Sequence, residues 1–424
     1  MRQTFALGVA LVAVAACSDL TTLTQSNPGS LDPQTVYTPA NASLIVNGAI
    51  SDFECAFSRY VVGSAIFTDE LANAFSSGSN FNYDRRTLLT SESYGTAVCG
   101  NNQQAPIYTT LSIARRSADT AVAKLQGWTD EQMLPGVNRT KLIGQSSAYA
   151  GYSLVLLGEG MCSAAINLGP ELTPTQLFTE AKARFDAAIT AASAASDPTT
   201  VSFATLGRAR TQLDLGNAAA AGADAATIPA NFVVNMSTDG LNIRRENFSF
   251  ITINQSSFAT VDPTFRGLTV NGVPDPRVAV TSTGKNGTAP GAQMFTPDKY
   301  PALNTPMPIA RYAEAQLIVA ESKLAANDIA GATAAINAAR ATHAGLPAYS
   351  STGQTAAQVK DQIVEERRRE LFLEGHRLGD LRRYGIPLTP ATGTPYPAGG
   401  TYGAQSCFPL PDVERVNNPN IPKS

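Results

Sequence analysis

A chain of 424 residues can bury a large core, as one large domain or two closely packed ones. Only 15% of its residues are charged, against about 25% in an average soluble domain. The formal net charge is -3, and the one basic run, Arg367 to Arg369, is flanked by acids, which argues against a nucleic-acid partner.

The first residues read as an export signal. Met1 to Thr4 carries one positive charge, and Phe5 to Ala16 is apolar but shorter than the roughly 20 residues a bilayer span needs. The run ends Val14-Ala15-Ala16-Cys17, which resembles a bacterial lipobox. Residues 1–16 are then a signal peptide, and Cys17 is the lipidated first residue of the mature chain. Several acyl chains on one cysteine anchor firmly where a single chain holds only marginally. An ordinary secretory signal with an incidental Cys17 is the alternative. No later segment reads as a transmembrane helix. Cys55, Cys99, Cys162 and Cys407 remain, an even number in an exported chain, with three possible pairings. Cys55–Cys99 with Cys162–Cys407 is preferred. The first ties a helix to the loop after it, and the second ties the tail to the helical body.

Residues 17–41 are rich in Ser, Thr, Pro and Asn and read as a flexible tether. Dense apolar residues predict a helix from about Ala42 to Ala74. A polar loop, Ser76 to Gln104, comes next and carries Phe81, Tyr83 and Tyr94. Pro106 opens the next helix, where Ile107, Leu111, Ala114, Ala118, Ala121 and Leu125 keep helical spacing. Further helices are expected at Lys141 to Gly158, at Thr175 to Ala194, after an N-cap at Ser202, and at Ala218 to Ala226. Arg311 to Ala325 and Ile329 to Ala341 form another pair across Asn327-Asp328. Helix, short turn, helix, with small residues at the contacts, is the pattern of tetratricopeptide repeats. A plain Ala-rich bundle is the alternative. The expected fold class is all-α: tetratricopeptide-like repeats with long irregular insertions and minor β. Residues 42–228 hold the N-terminal repeats. Residues 229–308 are an irregular insertion, with short strands such as F-S-F-I-T-I near Phe248, and face the ligand. Residues 309–424 hold the C-terminal helices and tail.

Val359 to Tyr384 is the densest charged stretch. At helical spacing Ile363, Arg367, Leu371 and Glu374 share a stripe, with Glu366 and Glu370 beside it. If that stripe is buried, Arg367 must pair with Glu366, Glu370 or Glu374, because an unpaired buried ion costs several kcal/mol. Gly375 suits a C-cap, and a short helix, His376 to Tyr384, comes after it. The run E-R-R-R-E-L-F-L-E-G-H-R-L-G-D-L-R-R-Y-G resembles the C-terminal signature of the SusD/RagB family of outer-membrane nutrient-binding lipoproteins. Arg311 to Lys323, Ile336 to Ala341, Asp275-Pro276-Arg277 and Phe408 to Pro419 are similar to other elements of that family. Leu378-Gly379 departs from it, since larger aromatic residues often stand there. The resemblance implies a surface lipoprotein without catalytic activity or cofactor. It also implies a glycan or peptide ligand and a SusC-like TonB-dependent transporter as partner. It supplies no binding residues.

Little supports catalysis. There are two histidines, His343 and His376. His376 and Asp380, at i and i+4, are read as a hydrogen-bonded pair locking the turn at Gly375, with no nucleophile motif beside them. Asp69-Glu70 is the best carboxylate pair for a glycosidase, but adjacent helical residues diverge, so one of them should face solvent. No metal-ligand cluster or nucleotide-binding glycine motif appears. A surface enzyme of polysaccharide breakdown and a periplasmic scaffold are the alternative functions. Sugar rings lie on aromatic faces while polar side chains take their hydroxyls. Phe81 and Tyr83 are the first candidates for such contacts, then Trp128, Tyr300, Tyr396 and Tyr402. Glu366, Arg367, Glu370 and Asp380 are assigned to a structural ion network that clamps the C-terminal helices.

Overall fold

The computed structural model describes residues 33–76, 80–100 and 104–422. Cys17, the signal segment and the start of the tether lie outside the described residues. The tether is not loose up to residue 41. Lys124 Nζ sits 5.3 Å from the centre of the Tyr37 ring, so the chain is already packed on the body there.

The fold is mostly helical, with small two-stranded sheets. Ten helices among the described residues have eight residues or more. The first, α1 (Ala42–Phe67), is buried over its whole length from Phe53 to Phe67. A helix apolar on all faces must be surrounded. It stops short of Ala74 because the Thr68 backbone leaves the helical region, at φ -104° and ψ -148°, with its hydroxyl on the Ser64 carbonyl at 2.9 Å. Leu71–Asn73 (β1) then becomes a strand, antiparallel to Ala259–Val261.

Helices α2 (Tyr108–Gln126), α3 (Arg139–Gly160), α4 (Pro174–Ala194), α5 (Pro198–Asp214) and α6 (Ala218–Ala225) come next, each packed on the one before. Local chemistry sets their starts. Thr173 and Gln176 make a reciprocal capping box, with Pro174 in the first turn of α4. Asp197 caps α5 through Thr200, so this helix starts before Ser202. Small residues make the close contacts. A Cβ on Gly151 or Gly207 would lie 2.7 or 2.4 Å from the Phe185 ring, and one on Gly222 would strike Ser322.

Chain order then breaks, as residues 229–308 lie between α6 and its neighbour α7 (Tyr312–Ala325). That insertion holds short antiparallel pairs, among them Val280–Asn286 with Gln293–Pro297. F-S-F-I-T-I is not a strand. The Asn247 side chain accepts from the Phe250 amide, and the Phe248 amide donates to the Ser58 hydroxyl on α1. The run therefore winds into a helical turn, Phe248–Phe250, and a wider one, Ile251–Gln255.

Helix α8 (Ile329–Arg340) pairs with α7, and α9 (Ala356–Glu370) lies across both. α9 ends before Gly375. Leu371–Gly375 is a tight turn in which Leu373, at φ 55°, takes a left-handed backbone rare for a branched residue. The turn is held from outside: the Leu373 amide donates to Glu70 Oε1 at 2.8 Å, and its carbonyl accepts the Tyr300 hydroxyl at 3.0 Å. Helix α10 (Arg377–Tyr384) ends on Gly385 in the left-handed conformation.

Disulfides join Cys55 to Cys99 and Cys162 to Cys407. Beside the second, the Cys162 amide bonds the Phe408 carbonyl and the Phe408 amide bonds the Gly160 carbonyl. Phe408 is fully buried against Phe67, Tyr83 and Tyr94.

Candidate functional site

The charged stretch is buried and paired. Glu366 takes Arg277 at 2.6 Å and Arg340 at 3.1 Å. Glu370 takes Arg311 at 2.6 Å, with His343 Nε2 at 2.7 Å. Glu374 takes Arg311 at 2.9 Å and Lys299. Burial alone would raise the Glu370 carboxyl, but Arg311, His343 and Arg277 outweigh it and hold the group at about 2. Arg277 of the D-P-R element also forks onto Asp275 at 2.8 and 2.9 Å. Of the two alternatives, Arg367 is buried, but its partners are not Glu366, Glu370 or Glu374. The Glu366, Glu370 and Glu374 carboxylates are taken by arginines from other segments. Arg367 reaches Asp380 on α10 at 2.8 to 3.0 Å and Glu321 at 3.5 Å.

The two catalytic candidates dissolve into the same lattice. Asp380 bonds Arg367 and Arg383, so it makes no side-chain pair with His376. His376 Nε2 lies 3.2 Å from Arg210 instead. Burial, reinforced by Arg210 and Arg367, keeps its pKa well below the usual range, so it is neutral. Neither Asp69 nor Glu70 faces solvent. Asp69 forks onto Arg377 at 2.7 Å, while Glu70 is fully buried with Oε2 unpartnered. Burial pushes the Glu70 carboxyl up to about 8. Among the described residues no cluster of His, Cys, Asp and Glu could hold a metal ion.

The aromatic candidates separate cleanly. Tyr83 and Tyr300 are core residues, 0% and 1% exposed, because each hydroxyl finds a backbone carbonyl inside, that of Ala105 or of Leu373. Tyr94 is likewise inside, with its hydroxyl on Pro409. Trp128 is half-buried against Ala42, Val46, Ala121 and Leu125, away from the other candidates. Phe81, half-buried, comes together with Tyr396 and Tyr402, which are 6% and 9% exposed at the wall of a cleft. Their rings form an edge-to-face chain, with centroids 5.9 and 5.1 Å apart.

These rings line a cleft of about 270 Å³ where three remote segments meet. Phe81 and Asp84 come from the short helix Asn80–Arg85. Asp262, Arg266 and Gln293 come from the insertion. Tyr396 and Tyr402 come from a tail loop that closes through Gly399 and Gly400, both at positive φ, with the Tyr396 amide on the Gly400 carbonyl. Asp84 Oδ2 accepts from the Asn73 amide at 2.8 Å and the Tyr396 hydroxyl at 3.1 Å. Burial raises its carboxyl to about 7. Nothing in the spacing of Asp84, Asp262, Arg266 and Gln293 marks them in the sequence; only their nearness to aromatic residues in polar loops hints at it. A larger groove of about 600 Å³ runs along α2, but its one aromatic residue, Tyr108, is buried.

The structural role of the charges is open to direct measurement. Arg367→Ala leaves Asp380 with Arg383 as its remaining cation and should lower stability in chemical denaturation by less than the roughly 3–5 kcal/mol of a fully unpaired buried charge. Glu70 has a folded pKa of about 8 against a normal value of 4.5. Its burial therefore costs stability progressively as pH rises from about 4.5 to 8. Glu70→Gln should raise the melting temperature at about pH 9 and leave it unchanged near pH 4.5, measured by differential scanning fluorimetry across pH.

Residues 292–420 match the family model described as the SusD family. No curated protein matches the sequence. Among solved structures, a SusD superfamily protein from Bacteroides vulgatus aligns over 90% of this chain and 97% of its own, with TM-score 0.66 and 16% identity. Surface glycan-binding protein A from Bacteroides fluxus aligns over 91% and 99%, with TM-score 0.66 and 15% identity. A laminarin-binding SusD-like protein aligns over 90% and 98%, with TM-score 0.59 and 16% identity. At these identities the likeness establishes the fold.

Proposed function

With residues 292–420 matching the SusD family model and 90% of the chain aligning with a solved SusD superfamily structure, we propose that the protein belongs to the SusD/RagB family and is a non-catalytic, cell-surface glycan-binding protein. The observation that carries this reading is the cleft of Phe81, Tyr396 and Tyr402. It offers an aromatic face beside Asp84, Asn73 and Gln293, the pairing of apolar and polar groups that a sugar ring requires. The names of two structural relatives, one laminarin-binding and one glycan-binding, agree with it. The carboxylates best placed by sequence for hydrolysis are locked in ion pairs or buried, which supports binding without turnover. Delivery to a SusC-like TonB-dependent transporter, and anchoring through lipid on Cys17, belong to the same proposal.

Phe81 is half-exposed and makes no hydrogen bond through its ring, so it can be removed without opening the core. Phe81→Ala should weaken glycan retention about tenfold, the worth of one well-placed aromatic contact, with the melting temperature unchanged. Affinity electrophoresis in polysaccharide gels reads the retention, and a thermal melt reads the fold. Equal retention by the variant removes the cleft from the reading, and shortened chains after long incubation of oligosaccharide with the wild-type protein remove the non-catalytic claim. The anchor is tested separately: Cys17→Ser should abolish incorporation of labelled fatty acid, and undiminished labelling refutes the lipobox.

A further inference from the structure

The cleft has a polarity that narrows its ligand beyond glycan in general, and this narrowing rests on the glycan-binding function proposed above. Its charged lining is Asp84, Asp262 and Arg266, with Arg85 standing 6.0 Å over the Tyr396 ring. The two kinds of charge are not equally available.

The arginines are largely engaged within the protein. Arg266 Nε and Nη2 both donate to the Val261 carbonyl, at 2.9 and 2.6 Å, and its guanidinium lies over the Phe295 ring at 4.1 Å. Arg85 donates through Nε to Thr87 at 3.0 Å, through Nη2 to Asn82 at 3.2 Å and through Nη1 to the Gly399 carbonyl at 3.4 Å. A carboxylate or sulfate is recognised best by a free guanidinium fork that gives two parallel hydrogen bonds. Arg85 has each of its nitrogens engaged, and Arg266 keeps only Nη1, since its Nη2 also reaches the Gln293 carbonyl at 3.5 Å, so neither presents that two-point fork.

The acceptors are free. Both hydrogen bonds to the Asp84 carboxylate, from the Asn73 amide and the Tyr396 hydroxyl, fall on Oδ2. Asp84 Oδ1 has no protein donor among the described residues, and its residue lines the cleft. Asp262 lines the same cleft and accepts from the Thr264 amide through Oδ1 at 2.8 Å. A ligand here meets carboxylate oxygens that need a hydrogen-bond donor, and sugar hydroxyls donate. An anionic group meets two carboxylates instead, with no fork to offset the repulsion.

We infer that the cleft selects uncharged, hydroxyl-rich glycans over uronate- or sulfate-bearing ones, with Asp84 Oδ1 as the specificity-determining acceptor. Burial that holds the Asp84 carboxyl near 7 makes the discrimination sharper on the alkaline side, where the group is ionised.

The test uses the purified chain at about pH 8, with mixed-linkage β-glucan, galactomannan and pullulan as uncharged probes. Polygalacturonate, alginate and chondroitin sulfate are the anionic ones. At least one uncharged probe should bind, with every anionic probe at least about tenfold weaker. Asp84→Asn should weaken the uncharged probe about tenfold, since it trades a charged acceptor for a neutral one. Asp262→Asn, which leaves the Asn73 and Tyr396 contacts in place, should narrow the gap between the two probe classes even if Asp84→Asn folds poorly. An anionic probe bound as tightly as the uncharged ones overturns the selectivity and leaves the glycan reading standing. Retention of none of the probes overturns the glycan reading, and the selectivity falls with it.

Discussion

Three carboxylates spaced four residues apart hold the C-terminal half together. Glu366, Glu370 and Glu374 lie along α9 and the turn after it, all buried. Each meets cations from distant parts of the chain, Arg277 and Lys299 from the insertion, Arg311 at the start of α7 and Arg340 at the end of α8, while the His343 ring just beyond α8 bonds Glu370. Buried ion pairs contribute little net stability over apolar residues of the same size, yet losing one partner is expensive. The lattice therefore acts on arrangement. Any docking that drew α9 away from α7, α8 or the insertion would leave several of these charges buried without a partner. All three carboxylates lie within residues 292–420, the part of the chain that matches the SusD family model.

Much of the helical fold was legible because its signals are local. The Thr173–Gln176 and Thr355–Gln358 capping boxes place helix starts through residues three apart in the chain. The mixed stripe left burial of Arg367 open and required only that a buried Arg367 be paired; the partner itself was not legible. Helical spacing offered Glu366, Glu370 and Glu374, whereas Asp380 comes from the next helix after a tight turn. The same limit misled the reading of Phe248 to Ile253. Its alternation suits a strand, but the Asn247 cap and the Ser58 hydroxyl, from a helix far back in the chain, turn it.

The aromatic residues show the limit most clearly. Phe81 and Tyr83 are two residues apart in one polar stretch, yet one lines a cleft and the other is sealed in the core. What separates them is the side of a six-residue helix on which each falls, and the carbonyl of Ala105 that receives the Tyr83 hydroxyl. Composition cannot supply either. The carboxylates and arginines of the cleft were invisible for a related reason, since segments far apart in sequence contribute them.

Clamp and cleft are nonetheless joined, through Asp69 and Glu70. Asp69 forks onto Arg377, and Glu70 takes the amide of Leu373, so both are fixed by the charged stretch. The Glu70 carbonyl then receives the Asp262 amide, and Leu71–Asn73 pairs with Ala259–Val261 directly after it. Asn73 passes the constraint on by donating its amide to Asp84. One wall of the cleft is thus set by a short, continuous run of contacts from the ion lattice. The opposite wall is set separately. Arg86 holds the Pro390 carbonyl and covers the Tyr402 ring at 5.0 Å, while Phe408 anchors the end of the loop. The charged stretch lines no part of the cleft, but the position of Asp84 depends on it. Glu70, fully buried with one oxygen unpartnered, is the weakest link in that run, and it is the place where the requirements of the clamp are carried directly into the geometry of the cleft.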